Sequence, residues 1–262
     1  MTSQRPIAAA DSYRAPALEK GLDVLELLAT QESGLTLSQI AAALGRSVQE
    51  VYRVVVSLER RDYVERGAGD AFRLSLRLFG LACAQPPLGR LLQASAPVLP
   101  PLAAGLEQVV TLAVIDGLQF RVVSVGENPA PVGFRVRLGA ARPLAVAASG
   151  RVLLAFRPDA ECTALLAAMG LAAEEAARFA RIAGQGGEVV ADETLQGITD
   201  VSFPVTDANG AAQAALTMPY LAGSAAPVPL PEAARRLHAA ADTLSRSLGG
   251  TQPPAPILET LK

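Results

Sequence analysis

The stretch from Thr36 to Leu58 constrains this chain more tightly than any other. It runs Thr36-Leu-Ser-Gln-Ile-Ala-Ala-Ala-Leu-Gly45, then Arg46-Ser-Val-Gln-Glu-Val-Tyr-Arg-Val-Val-Val-Ser-Leu58. Thr36 three residues ahead of Gln39, and Ser47 three ahead of Glu50, read as two capping boxes. Gly45 between them tolerates left-handed backbone without a Cβ clash and ends the first helix. Ile40, Ala41 and Leu44 share one face of that helix, and Val51, Val54, Val55 and Leu58 share one face of the second. The second helix is left with a polar side carrying Arg46, Gln49, Glu50 and Arg53, with Tyr52 beside them. Two readings are open: a helical hairpin in a globular core, or a helix-turn-helix whose second helix enters the major groove of DNA.

The flanks favour the second reading. Pro16 opens a helix over Ala17–Thr30, with Leu18, Leu22, Leu25 and Leu28 expected on its buried face. After the helix pair, Tyr63–Arg66 and Ala71–Ser75 read as short strands around Gly67-Ala-Gly-Asp70. Three helices followed by such a hairpin make a winged helix. Charge agrees: Arg46, Arg53, Arg60, Arg61, Arg66, Arg73 and Arg77 face Glu50, Glu59, Asp62, Glu65 and Asp70, a local positive excess in a chain of net charge -2. Phosphate contacts supply most non-specific affinity, so a modest arginine cluster on one face is what binding needs. Gln49 and Arg53 match adenine and guanine edges. Arg46 and Tyr52 are better placed for phosphates or the groove wall, and Arg66 and Arg73 flank the wing. Ser47, at the start of the reading helix, completes the candidate DNA-contact set. Arg60 and Arg61, beside Glu59 and Asp62, are as apt to pair with those acids as to meet DNA.

Leu76–Ala84 reads as a linking helix, and Gln85-Pro-Pro87 ends it, which puts a domain boundary near residue 86. A long amphipathic stretch follows over Leu88–Glu107. Val109–Ile115 and Leu118–Val125 are apolar strands around the turn dipeptide Asp116-Gly117. Gly133–Leu138 is expected to be a further strand, carrying Arg135 and Arg137. Ser149–Phe156, Asp159–Met169 and Ala173–Ala183 read as helices. Val201–Val205 and Ala212–Met218 form another hairpin, and Pro231–Leu248 is the closing helix. Hairpins interleaved with helices predict an α+β domain built on one antiparallel sheet. Residues 1–15 and the proline-rich 251–262 are expected to be loose tails.

Composition removes several chemistries. Cys83 and Cys162 lie far apart without metal-ligand spacing, and His238 is the sole histidine. Neither a histidine-rich metal centre nor a serine–histidine triad is expected, and no metal or cofactor is. Leu91–Leu106 is broken by Pro97, Pro100 and Pro101, so it does not read as a membrane span. Met1–Asp11 lacks the apolar run of a secretory signal, and the expected location is the cytoplasm. The competing reading is a small-molecule enzyme with an accessory N-terminal helical module. Its best residues are the acid pairs Asp192-Glu193 and Glu174-Glu175, which read as solvated edges. Gly184-Gln-Gly-Gly187 lacks the strand and helix that flank a nucleotide-binding loop.

With both halves placed, the chain resembles an IclR-type bacterial transcription regulator over roughly residues 16 to 248. The resemblance rests on Ala17-Leu-Glu-Lys-Gly-Leu-Asp-Val-Leu-Glu-Leu-Leu28, Leu37-Ser-Gln-Ile-Ala41, Val51-Tyr-Arg53 with Leu58-Glu59, and Tyr63-Val-Glu-Arg66 with Phe72-Arg-Leu74. In the second half it rests on Leu112-Ala-Val-Ile-Asp-Gly117, Gly150-Arg-Val-Leu-Leu-Ala155 and Gly197-Ile-Thr-Asp-Val-Ser-Phe-Pro-Val205. It implies a winged helix-turn-helix over 16–75, a linker helix over 76–87 and a GAF-like effector-binding domain over 88–250, between tails at 1–15 and 251–262. It implies a ligand-responsive regulator of a metabolic operon. Its partners would be a palindromic operator, a small organic metabolite and itself, as a dimer or dimer of dimers.

Carried over from the family, the effector pocket would include Ala148, Ser149, Asp200 and Thr217. The helix beginning near Ser149 presents free backbone N–H groups that suit an anion. Relatives are expected to hold a cysteine where this chain has Asp200, and an aspartate there favours a donor-rich ligand such as a polyol, sugar derivative or amine. A turn or capping role after Gly197 is equally open for Asp200, as is an ordinary strand role for Thr217. Where relatives often show a histidine and a threonine, this chain has Ala145 and Ala147. That apolar loop implies a less polar effector, or a pocket that is smaller or unused.

Overall fold

The computed structural model describes residues 15–131, 133–171, 174–192, 195–222 and 227–261. It divides into two compact units, with the division between Gln85 and Pro86. The expected N-terminal tail up to residue 14 lies outside the described residues.

In the first unit α1 (Pro16–Ala29), α2 (Leu37–Leu44) and α3 (Val48–Arg60) pack around Val24, Leu28, Ile40, Ala41, Val51 and Val55. Both capping boxes form, and Gly45 ends α2 at φ 61°. The wing follows as β1 (Val64–Arg66) and β2 (Phe72–Leu74), paired antiparallel through Val64–Leu74 and Arg66–Phe72. Phe72 closes the core from below, with its backbone bridged to Leu35. The buried face of α1 is rotated from the expected one. Leu18 is 63% and Leu22 48% exposed, whereas Gly21, Val24 and Leu28 are buried. Gly21 lies against α3, where an added Cβ would meet the Val54 side chain at an ordinary 3.9 Å. The unit ends with α4 (Arg77–Ala84), none of whose residues is buried.

The second unit is a six-stranded antiparallel sheet between two helical layers. Its strands are β3 (Val110–Asp116), β4 (Gln119–Gly126), β5 (Ala141–Pro143), β6 (Glu188–Ala191), β7 (Ile198–Thr206) and β8 (Ala212–Leu221), in the order β5-β4-β3-β8-β7-β6. Against one face lie α5 (Pro86–Ser95), α6 (Leu99–Leu106) and α10 (Leu230–Ser247), which bury Leu91, Leu99, Leu106, Leu237 and Leu244 on Leu112, Phe203 and Leu216. Against the other lie α7 (Ala148–Ala155), α8 (Asp159–Ala168) and α9 (Glu174–Gln185), around Val152, Leu153, Leu166, Phe179 and Ile182. With helices on both sides, the central strands β7 and β8 are buried almost throughout and read as near-continuous apolar runs.

Two further expectations fail here. Gly133–Leu138 is not a strand but an irregular segment, and the sheet is extended instead by Ala141–Pro143 and by the edge strand Glu188–Ala191. The C-terminal stretch is not loose: Ile257, within the short helix α11 (Ile257–Thr260), is 7% exposed and belongs to the α10-side core. The segment leading to it is stitched down by Thr206 Oγ1 donating to the Thr251 carbonyl at 2.7 Å, and the His238 ring lies 3.2 Å from the Pro253 carbonyl.

Candidate functional site

The first surface is the polar side of α3. With Val51 and Val55 in the core, the helix turns Gln49, Tyr52, Arg53 and Val48 outward, Tyr52 being 50% and Val48 47% exposed. Four-residue spacing sets them in two adjacent rows, Gln49 with Arg53 and Val48 with Tyr52. Val48 escaped the sequence reading, although its place one turn before Tyr52 was the available signal. The other residues on this side also make contacts within the fold. Ser47 Oγ accepts from the Glu50 amide at 3.3 Å, and Arg46 Nη2 meets Asp23 Oδ2 at 2.7 Å. Lys20 Nζ donates to Glu50 at 2.7 Å. That hydrogen bond, and then those from Ser47, hold the Glu50 carboxyl down to about 2.

The wing arginines are also paired. Arg73 Nε lies 2.6 Å from Glu65, while Arg66 lies 3.4 Å from both Glu59 and Asp70 and stacks 4.8 Å over the Phe72 ring. By contrast Arg53, Arg60, Arg61 and Arg77 make no ion pair among the described residues. Acid pairing, open for Arg60 and Arg61 in the sequence, thus falls on Arg66 and Arg73. Exposed pairs of this kind are worth about 0–1 kcal/mol, so a phosphate can replace the carboxylate at little cost.

The second candidate is a cavity of about 250 Å³ in the second unit, between the sheet and the start of α7. Strand alternation builds its floor from Thr111 and Thr217, with the wholly buried Ser202 behind them and off the lining. Thr111 on β3, Thr217 on β8 and Ser202 on β7 are cross-strand partners and point to one face. Ser149 Oγ donates to Thr217 Oγ1 at 2.9 Å, the Ser202 and Thr217 hydroxyls are 2.7 Å apart, and Thr111 Oγ1 donates to the Thr217 carbonyl at 3.3 Å. One step of two along β7 from Ser202 comes Asp200, only 6% exposed. Phe120, Val122, Phe134, Val136 and Ala147 supply apolar wall, and Arg135, Arg137, Arg142 and Asp192 supply charge. The structure therefore brings Ser149, Asp200 and Thr217 together. Ala148 is wholly buried and off the lining, which takes its neighbour Ala147 instead. Asp192, read as a solvated edge residue, faces this cavity, while Glu193 lies outside the described residues.

Burial, then the charge of Asp192, pushes the Asp200 carboxyl up to about 6, against the opposing pull of Arg142 and Arg151. The start of α7 is open: its N-cap is Ala147, which has no side chain to cap the first N–H groups. The helix is held instead by Arg151, 2% exposed, whose Nε reaches Glu188 at 2.8 Å and whose Nη1 donates to the Val146 carbonyl at 3.1 Å. Gly150 lets α7 lie on its own lead-in loop, since a Cβ there would come 2.0 Å from the Leu144 carbonyl oxygen. The sole histidine, His238, lies on the opposite side of the sheet from the hydroxyl cluster, its ring edge-on to Phe203 at 5.0 Å. Among the described residues no cluster of His, Cys, Asp and Glu could hold a metal ion.

Comparison with known proteins converges on one family. The IclR helix-turn-helix domain matches residues 17–68, and the bacterial transcriptional regulator IclR C-terminal domain matches residues 89–246. The HTH-type transcriptional regulator XynR of Escherichia coli (strain K12) is 25% identical over 244 residues, covering 89% of this chain and 97% of XynR. The crystal structure of Pseudomonas aeruginosa HmgR superposes with a TM-score of 0.70 at 26% identity, covering 90% of this chain and all of HmgR. An IclR homolog from Microbacterium hydrocarbonoxydans, crystallised in complex with 4-hydroxybenzoate, shares the fold with a TM-score of 0.71 at 21% identity, covering 88% of this chain and 98% of that one.

Proposed function

The chain belongs to the IclR family of bacterial transcriptional regulators, and from that premise we propose a specific division of labour within it. It is a regulator with a helix-turn-helix DNA-binding domain and an IclR-type effector domain, and the members of this family are not enzymes. In our reading, α3 lies in the major groove of a palindromic operator upstream of a metabolic operon. Gln49 and Arg53 meet base edges, Tyr52 meets the groove wall, and Arg46, Ser47, Arg66 and Arg73 face the backbone. A small organic metabolite occupies the cavity under α7, with Ser149, Asp200 and Thr217 as its polar contacts, and favours one geometry of the paired reading heads.

The observation that carries this reading is the exposure of Gln49 and Arg53 on one row of a helix whose opposite side is core. Exposed apolar side chains support self-association. Leu18 and Leu22 lie on α1, while Leu76, Leu78, Phe79 and Leu81 lie on and just before α4, with Leu76 82% and Phe79 65% exposed. A two-fold pair of such units would match a palindrome. No helix among the described residues is long and apolar enough to cross a membrane, which is compatible with action in the cytoplasm. The cavity reading draws support from the 4-hydroxybenzoate complex of a protein of this fold.

The test is a gel shift on the duplex selected by the protein from a random pool. Arg53→Ala should weaken binding by about 1–3 kcal/mol and relax preference at one base position. Unaltered affinity and unaltered preference in that variant would remove α3 as the reading element.

A further inference from the structure

We propose that the cavity under α7 selects bipolar ligands: small molecules carrying a proton donor at the inner end and an anionic group at the outer end, joined by an apolar body. The proposal rests on the reading of this cavity as the effector site and specifies what the effector must look like.

The inner end is set by Asp200. Its side chain is 94% buried and lines the cavity. Another carboxyl, that of Asp192, lines the same cavity and opposes its charge. Among the described residues no hydroxyl or backbone N–H is hydrogen-bonded to Asp200: Ser149 donates to Thr217, and the Ser202 and Thr217 hydroxyls bond each other. A buried carboxylate left without a donor is costly. The groups facing it from the surrounding elements are Asp192 after β6, Arg142 on β5 and Arg151 on α7. Arg151 is already engaged by Glu188, and Arg142 has a partner of its own. An ammonium or hydroxyl on a ligand fills the position that the fold leaves open.

The outer end is set by the irregular segment over residues 133–138. It contributes two arginines to the lining. Arg135 is 84% exposed and spans 3.5 Å to Glu127, while Arg137 is exposed and has no ion pair among the described residues. A cation on the exposed rim and a carboxyl on the buried floor define the two ends of the space. Phe120, Phe134, Val122, Val136 and Ala147 line the middle, so the body between the two poles is apolar or aromatic. At about 250 Å³ the cavity lies below the roughly 300–1,000 Å³ of common ligand sites, which keeps the molecule small.

Four probes of nearly equal size separate the two poles: 4-(aminomethyl)benzoate, 4-(hydroxymethyl)benzoate, 4-methylbenzoate, which lacks the donor, and 4-methylbenzylamine, which lacks the anion. Binding to the full chain is measured by calorimetry and by thermal shift. At least one of the two bipolar compounds should bind about ten- to hundredfold more tightly than either monopolar one. Asp200→Asn, checked for folding by circular dichroism, should shrink the margin over 4-methylbenzoate. Arg137→Gln should shrink the margin over 4-methylbenzylamine. Comparison of the ammonium and hydroxyl probes tells which donor the inner end prefers. If 4-methylbenzoate or 4-methylbenzylamine binds wild-type protein as tightly as the best bipolar probe, the selectivity is overturned while the effector reading survives. If no probe binds, both fall.

Discussion

Helices α3 and α7 carry the two candidate sites, and they start in opposite ways. The first turn of α3 is satisfied from within: Ser47 and Glu50 close a capping box, and Lys20 pins the same glutamate. The first turn of α7 is left open at Ala147, and everything that fixes the helix comes from elsewhere in the chain. Arg151 reaches Glu188 thirty-seven residues on, and Gly150 lets the helix settle on the Leu144 carbonyl. Surface reading heads need rigidity but no pocket, so local hydrogen bonds suffice. A ligand cavity needs unsatisfied polar groups next to it, and those must be stabilised by long-range contacts.

If α7 depends on distant partners, the largest effect should come from breaking one. Arg151→Ala leaves buried Glu188 with the looser partner Arg178, 3.9 Å away, and should cost about 3 kcal/mol in urea unfolding. A loss under 1 kcal/mol would mean that α7 is held by packing alone. The next effect concerns the open polar end. The Asp200 carboxyl, raised from an ordinary 3.8 to about 6, is favoured in its protonated form by the folded chain. Its contribution to stability is therefore full below about pH 4 and is lost as pH rises through about 6. Relative to Asp200→Asn, wild-type stability should fall by about 2–3 kcal/mol between pH 4 and pH 8. Parallel curves for the two proteins would remove the buried carboxyl from the account. The smallest effect belongs to the self-capped helix. Ser47→Ala should cost about 1 kcal/mol, read as a lowered urea midpoint at unchanged m-value.

The same contrast explains what was legible. The helix pair could be written down from Thr36, Gln39, Gly45, Ser47 and Glu50 because each acts within four residues of itself. The buried side of α1 could not. Counting leucines put Leu18 and Leu22 inside, but packing in the assembled unit buries Gly21, Val24 and Leu28, and only the partner helices reveal that. The edge strand Glu188–Ala191 was hidden by Gly186-Gly187 ahead of it, which reads as loop until β7 is there to pair with. Ser149, Asp200 and Thr217 came from family resemblance, whereas Thr111 and Ser202 did not come at all, and Asp192 and Arg137 were named without a place in this site. Ser202 had a signal, since a polar residue two positions beyond Asp200 on a strand must share its face. Asp192 and Arg137 had none, lying in irregular segments whose position depends on the tertiary fold.

The family match ends at residue 246, yet the hydrophobic interior on the α10 side continues to Ile257 and Leu261. Gly186 sits so close to Pro254 that a methyl group there would meet its carbonyl oxygen at 2.0 Å, so the last segment lies flush along the α9–β6 corner. Trimming this protein to the homology boundary would unzip a seam and wet the underside of the sheet. Appending a tag behind residue 262 would load a stretch that here serves as keel, not rope.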